Sequence, residues 1–125
     1  MAKKITYQRF KIDVAASGQL VAGSFKLDQN IKLIASVAVE SSLPNQAYYR
    51  GSQRLEISSD EIFPTGHETR RLMANQSVAQ NDRQFDLGEV ASGNKSLKID
   101  YQDTNHPSAV FAAYSVTFIF KCIND

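Results

Sequence analysis

Apolar and polar residues alternate along much of this chain, which is the pattern of strands with one face in a core. The clearest early run has apolar residues at every second position: Ile31, Leu33, Ala35, Val37 and Val39. In the last run, residues 110 to 122, both alternating sets are largely apolar. We therefore predict a central strand there that is covered on both faces, and its aromatic and β-branched content disfavours a helix.

Shorter apolar stretches predict further strands, separated by clusters of turn-forming residues. These stretches lie at residues 5–14, 25–27, 55–57, 69–73, 85–87 and 97–101. In the first of them the apolar parity changes between Tyr7 and Phe10, which predicts a bulge or a bend. The turn clusters lie at residues 28–30, 43–45, 63–66, 92–94 and 105–107. The pattern predicts an all-β, antiparallel β-sandwich of about eight or nine strands, with jelly-roll and immunoglobulin-like strand orders both open.

Length and charge narrow the function classes. The chain has 125 residues, with 14 basic and 13 acidic side chains and a formal charge of +1. This length suits one domain, so we assign residues 1–125 to a single β-sandwich. The near-zero charge argues against electrostatic binding of nucleic acid. No apolar run approaches the roughly 20 residues that span a bilayer.

Residues that could carry catalysis are sparse. The two histidines, His67 and His106, fall in predicted loops, where a solvated side chain is the ordinary role. No nucleophile elbow, phosphate-binding glycine loop or zinc-ligand cluster occurs in the sequence. Cys122 lies in the apolar closing run and is predicted to be a small buried hydrophobe. We therefore predict a protein that is not an enzyme and has no cofactor.

Two segments leave alternatives open. Residues 100–106 gather two carboxylates, two amides and an imidazole, which could form a calcium site or, more simply, a turn held by Asx hydrogen bonds. Ile62 and Phe63 precede Pro64 and could anchor their segment on the domain or form an exposed docking tip. A carbohydrate- or protein-binding module, which calcium could assist, is accordingly the alternative to a structural role.

Tyrosine and arginine pairs mark candidate contact positions. Both residue types are enriched in protein–protein interfaces, where they bury large surfaces and donate several hydrogen bonds. We predict an exposed interaction surface formed by five residues: Tyr48, Tyr49, Arg50, Arg70 and Arg71.

The N-terminal segment lacks the features of a secretion signal. Lys3 and Lys4 follow Met1, but Gln8 and Arg9 interrupt any apolar stretch. We expect a protein that is made in the cytoplasm and is not secreted. The two lysines would suit a contact beneath a shell or with a membrane, but two lysines are too few to establish either role.

Two segments carry a resemblance to a known family. They are GSQRLEISSDEIFPTGHE, residues 51 to 68, and YSVTFIFKC, residues 114 to 122. With its strand count and amide-rich surface, the chain resembles the small single-jelly-roll virion proteins of tailless icosahedral phages that have an internal membrane. Those proteins occupy penton or minor capsid positions and have no catalytic signature.

The resemblance implies an eight-stranded jelly roll located in the virion, self-assembly around a symmetry axis, and contacts with neighbouring capsid subunits. We therefore predict a non-enzymatic, self-associating subunit of a viral capsid or a similar particle.

Overall fold

Two antiparallel four-stranded sheets face each other. The computed structural model describes residues 4–58, 60–73, 85–107 and 109–124, without the side chains at positions 4, 44, 45, 65, 70, 71 and 85. The first sheet contains, in spatial order, β1 (Lys4–Val14), β8 (Tyr114–Asn124), β3 (Ile31–Ser41) and β6 (Phe85–Ala91). The second contains β2 (Leu20–Lys26), β7 (Ser96–Asp103), β4 (Gly51–Ile57) and β5 (Asp60–Glu68). The predicted all-β antiparallel sandwich is confirmed.

The core lies between the two sheets and follows the alternation of the strands. In β4 and β7 every second residue is buried, as expected for strands with one face in the core. The largest fully buried side chains come from both sheets and include Tyr101, Phe118 and Phe120. Cys122 is also fully buried among them, as predicted.

The closing strand is central but shorter than predicted. β8 pairs with β1 on one side and with β3 on the other. It begins at Tyr114, and two preceding carbonyls bond to side chains instead of to a neighbouring strand. Arg50 Nη1 donates to the Ala109 carbonyl at 2.9 Å, and Gln46 Nε2 donates to the Val110 carbonyl at 2.7 Å.

The predicted bulge in β1 is wrong. β1 pairs with β8 in one unbroken register from Lys4 to Val14. The change of parity instead places Ile5 and Tyr7 on the outer face, where both are exposed. Phe10 and Ile12 lie on the opposite face, towards the core.

A helix and a 3-10 turn occur where turns or strands were expected. α1 (Pro44–Arg50) replaces the predicted turn at residues 43–45, and its start matches the preference for proline in the first helical turn. The predicted strand at residues 69–73 is instead a 3-10 helix, Thr69–Leu72. Leu72 lies in the core, so its burial does not require a strand.

β5 continues through the predicted turn at residues 63–66. An edge strand tolerates Pro64, because one side of its backbone has no ladder to complete. Gly66 has a φ of +91°, and the pairing of β5 with β4 shifts register near Leu55. Phe63 is buried, which confirms that this segment is anchored on the domain.

The connections divide between two ends of the sandwich. One end contains the short turns after β2, β4 and β6, joined by bonds such as Leu27 N–H to the Lys95 carbonyl at 2.9 Å. The other end, called the loop end here, comprises residues 15–19, 42–50, 69–73, 104–107 and 109–113. Thr104 N–H donates to the Arg50 carbonyl at 2.9 Å and so ties two of these connections together.

Two matched leucine truncations in the second sheet test this burial. Leu97 is 1% exposed and Leu20 is 60% exposed. We expect Leu97→Ala to lower the free energy of unfolding by about 2–5 kcal/mol through lost burial and a residual cavity. Leu20→Ala should change it by about 0.5 kcal/mol or less. Urea denaturation measures the free energy of unfolding of both variants. Equal losses would contradict the placement of Leu97 in the core and of Leu20 on the outer face.

Candidate functional site

A buried ion pair lies beneath the loop end. Arg50 ends α1 and Asp103 ends β7, and their side chains are 2% and 0% exposed. Arg50 Nη2 donates to Asp103 Oδ2 at 2.9 Å, and Nε donates to Oδ1 at 3.1 Å. This paired geometry matches the fork of a guanidinium to both oxygens of a carboxylate. The predicted exposure of Arg50 is therefore wrong.

The two charged groups also bond to the surrounding connections. Arg50 Nη2 donates to Ser17 Oγ at 2.8 Å and to Asn105 Oδ1 at 3.2 Å. The backbone N–H of Gly18 donates to Asp103 Oδ2 at 2.8 Å. A buried ion pair is tolerated when its remaining donors and acceptors are satisfied in this way. The pair consequently fixes three connections of the loop end relative to one another.

These contacts set the protonation of the pair. The hydrogen bond to Asp103 raises the pKa of Arg50, against the effect of burial. Burial alone would raise the pKa of Asp103, but hydrogen bonds from Arg50, Gly18 and Tyr114 hold it below its ordinary value. Both groups are therefore charged across the physiological pH range.

Two tyrosines extend the network into the sandwich. Tyr114 OH donates to Asp103 Oδ1 at 2.7 Å, so Tyr101 OH must supply the proton of the 3.0 Å bond between the two hydroxyls. Burial raises the pKa of both phenols, that of Tyr101 to about 12. Gly51 packs against this site, because an added Cβ would overlap the Tyr101 hydroxyl and lie 2.8 Å from Thr69 Oγ1.

A second polar cluster connects β4 with the end of β5. Thr69 Oγ1 donates to Gln53 Oε1 at 2.6 Å, and Gln53 Nε2 donates to His67 Nδ1 at 2.7 Å. The His67 ring stacks on Phe63 with centroids 4.0 Å apart. His67 is thus a half-buried part of a strand, and the prediction of a solvated loop histidine is wrong for it.

Above the ion pair, four large apolar side chains of the loop end face solvent. Leu43, Tyr48, Tyr49 and Val110 are all exposed, and Val110 is 86% exposed. The Tyr48 and Tyr49 rings meet edge to face at 4.9 Å, and Tyr49 lies 5.1 Å from the His106 ring. Large apolar groups held in place and facing solvent are typical of protein contact sites.

The five predicted contact residues separate into three groups. Tyr48 and Tyr49 lie exposed on α1, as the interaction surface requires. Arg50 follows them in the chain but points into the ion pair. The side chains of Arg70 and Arg71 lie outside the described residues. Asp103 was predicted from sequence only as a candidate calcium ligand, and its role as the counter-ion of Arg50 was missed. The local signal for burial was its position at the end of an alternating apolar run.

The carboxylates of the suspected calcium loop do not converge. Asp103 lies on the inner face of β7, whereas Asp100 lies three positions earlier on the outer face. Among the residues that the structure describes, no three His, Cys, Asp or Glu side chains are grouped as metal ligands would be. Asp100 and Asp103, the two carboxylates proposed as calcium ligands, therefore do not face one common site.

A cleft of about 310 Å³ lies on the outer face of the second sheet. It is lined by Leu20, Ser52, Gln53, Arg54, Gly66, Asp100 and Gln102. Arg54 turns towards Glu56 and Glu61, and not towards Asp100 across the ladder. The cleft therefore offers a carboxylate and amide and hydroxyl groups to a polar ligand.

Comparison with known proteins gives no match to a family model, a curated protein or a solved structure. Within the described part of the chain, no helix has the length and apolar character needed to cross a membrane.

Replacement of Asp103 tests the ion pair. Asp103→Asn keeps the shape of the side chain but leaves Arg50 without a counter-charge, so we expect a loss of about 3–5 kcal/mol near neutral pH. The lowered pKa of Asp103 means that its contribution is present above about pH 4 and is lost as the pH falls below that value. The difference in the free energy of unfolding between wild type and Asp103→Asn should therefore become smaller at acid pH.

Asp100→Asn is the matched control, because Asp100 lies on the same strand, is half-buried and forms no ion pair among the described residues. We expect a change of about 0.5 kcal/mol or less. Urea denaturation at a series of pH values measures both variants. A loss for Asp103→Asn that stays constant from neutral to acid pH would contradict the assignment.

Proposed function

We propose that this protein is a non-enzymatic jelly-roll subunit that self-associates in a larger particle, as a vertex or minor capsid protein of a virion does. The strand order carries the proposal. Consecutive strands pass from one sheet to the other at every connection except the β4–β5 hairpin. The orders β1-β8-β3-β6 and β2-β7-β4-β5 are those of two interlocked Greek keys, an arrangement that viral capsid domains use.

The loop end supports the proposal. Its backbone is held by the Arg50–Asp103 pair, while Tyr48, Tyr49 and Val110 remain exposed above it. A surface held in position before binding loses little conformational entropy when a partner docks. The exposed Tyr48, Tyr49 and Val110 side chains are uncharged, so copies related by a symmetry axis can bring them together without electrostatic repulsion.

The polar cleft on the second sheet favours a second candidate function, the binding of a carbohydrate or another polar ligand. Asp100 and Gln102 provide hydrogen-bonding groups, and Leu20 provides an apolar contact. The cleft lining contains no aromatic ring on which a sugar could stack. This candidate predicts that Asp100→Asn weakens glycan binding without changing the oligomeric state.

Solution mass over a range of protein concentration tests the structural role. We expect a defined ring-sized species whose fraction rises with concentration, measured by size-exclusion chromatography with light scattering. Replacement of both Tyr48 and Tyr49 with serine should weaken association, because it removes the apolar rings from the contact. Replacement of both with phenylalanine should preserve association, because the ring area is kept.

A wild-type protein that stays monomeric at every concentration would contradict the self-associating role. Unchanged association of the serine variant would instead exclude the loop end from the contact. Circular dichroism of each variant shows that the β-fold is retained, as expected for exposed positions.

A further inference from the structure

The two lateral sides of the sandwich are formed by different edge strands. β1 and β2 end their respective sheets and lie on the same side, since the Phe10 and Phe25 rings pack together with centroids 4.7 Å apart. β6 and β5 end the same two sheets on the opposite side. These two sides are called the basic side (β1 and β2) and the acidic side (β5 and β6).

Charge is segregated between the two sides. Among the described side chains, the basic side has Arg9, Lys11 and Lys26 and one carboxylate, Asp13. The acidic side has no lysine or arginine in its strands and has five carboxylates: Asp60, Glu61, Glu68, Asp86 and Glu89. The segregation is present in both sheets, because each sheet has its basic edge on one side and its acidic edge on the other.

The strands between these edges are close to neutral. β3 has one lysine and one glutamate, and β4 has one arginine and one glutamate. β8 has a single lysine, and β7 has one lysine and two aspartates, of which Asp103 is paired inside the core. The opposite charges are therefore concentrated at the edges of the molecule and are not spread across its faces.

Most of the edge charges are available to a partner. Lys26, Asp60, Asp86 and Glu89 are exposed and form no ion pair among the described residues. The basic residues of β1 have only weak exposed pairs, Arg9 with Glu40 at 3.5 Å and Lys11 with Asp13 at 3.6 Å. Such surface pairs contribute little and exchange readily for an intermolecular contact.

Protection of the sheet edges does not explain this distribution. Charged residues on edge strands prevent uncontrolled pairing with other sheets, but a charge of either sign serves that purpose. Here each side has predominantly one sign. The basic side also has two exposed apolar residues, Ile5 and Tyr7, next to Arg9 on the outer face of β1. An apolar patch bordered by charges is typical of a protein interface.

We propose that the basic side of one copy docks on the acidic side of the next copy. The occupant is a second copy of this chain, because each copy presents both complementary surfaces. Contact between two different surfaces is head-to-tail, and it closes into a ring when the rotation between copies divides a full turn. This inference rests on the proposed function and specifies which surfaces of the subunit meet around the axis.

Charge reversals on each side test the contact. One variant combines Lys11→Glu with Lys26→Glu, which makes both sides acidic. The other combines Asp60→Lys, Asp86→Lys and Glu89→Lys, which makes both sides basic. We expect each to raise the dissociation constant of self-association by about tenfold or more at low salt, because like charges then face each other. The control combines Lys32→Glu with Lys98→Glu, the same change in charge on exposed positions of non-edge strands, one in each sheet.

Two further samples decide the question: a mixture of the two reversed variants, and a single variant that combines their replacements. Mixing the two reversed variants should restore association, because acidic sides then meet basic sides. The variant with all five replacements should self-associate, because its sides are complementary again with their signs exchanged. Association of the wild type should weaken between about 0.05 M and about 0.5 M salt. Light scattering measures every arm, and circular dichroism verifies folding.

The outcomes separate this inference from the proposed function. A wild type that assembles, together with side-reversed variants that assemble equally well, overturns the lateral contact and leaves the structural role intact. The same holds if the control weakens association as much as the side reversals do. A wild type that stays monomeric overturns both. Loss of association in each reversed variant, with recovery in the mixture and in the variant with all five replacements, supports the contact.

Discussion

The arrangement of the loop end depends on one buried ion pair. Arg50 and Asp103 lose nearly all contact with water, a cost of several kcal/mol per ion that only good geometry and further hydrogen bonds offset. The further bonds come from separate connections, through Ser17, Gly18 and Asn105. Moving any of these connections would leave a buried charge incompletely bonded. The position of α1 and its exposed tyrosines therefore follows from an interaction beneath them.

The same network divides the interior of the sandwich into a polar and an apolar part. From Asp103, hydrogen bonds continue through Tyr114 to Tyr101, and Gly51 gives the Tyr101 hydroxyl the space that a Cβ would occupy. Residues such as Ile99 and Phe120 fill the remaining core without polar groups. Hydrogen bonds specify direction, whereas apolar contacts do not, so the polar part fixes how the connections are arranged over the core.

The alternation of residues predicted the fold class because it reports which face of each strand is buried. It predicted the extent of β3 but not which residues face the core: the pairing with β8 shifts register on both sides of Leu33 and Ile34, and Ile34 is buried whereas Leu33 is half-buried. It also failed for β1 at Ile5 and Tyr7, where apolar residues face solvent. It could not predict that Arg50 is buried, because Asp103, the partner of this arginine, lies 53 positions away in the chain. The strand order, on which the proposed jelly roll rests, likewise depends on pairings between distant segments.

Charge segregation was invisible in the sequence for the same reason. The acidic strands β5 and β6 and the basic strands β1 and β2 are sequence neighbours within each pair, but only the sheet order places the pairs on opposite sides. The formal charge of +1 conceals the asymmetry. A nearly neutral subunit avoids the repulsion that grows as like-charged copies accumulate, while opposed sides favour one relative orientation. Near-neutrality and segregated edge charges are therefore compatible in the self-associating subunit that we propose.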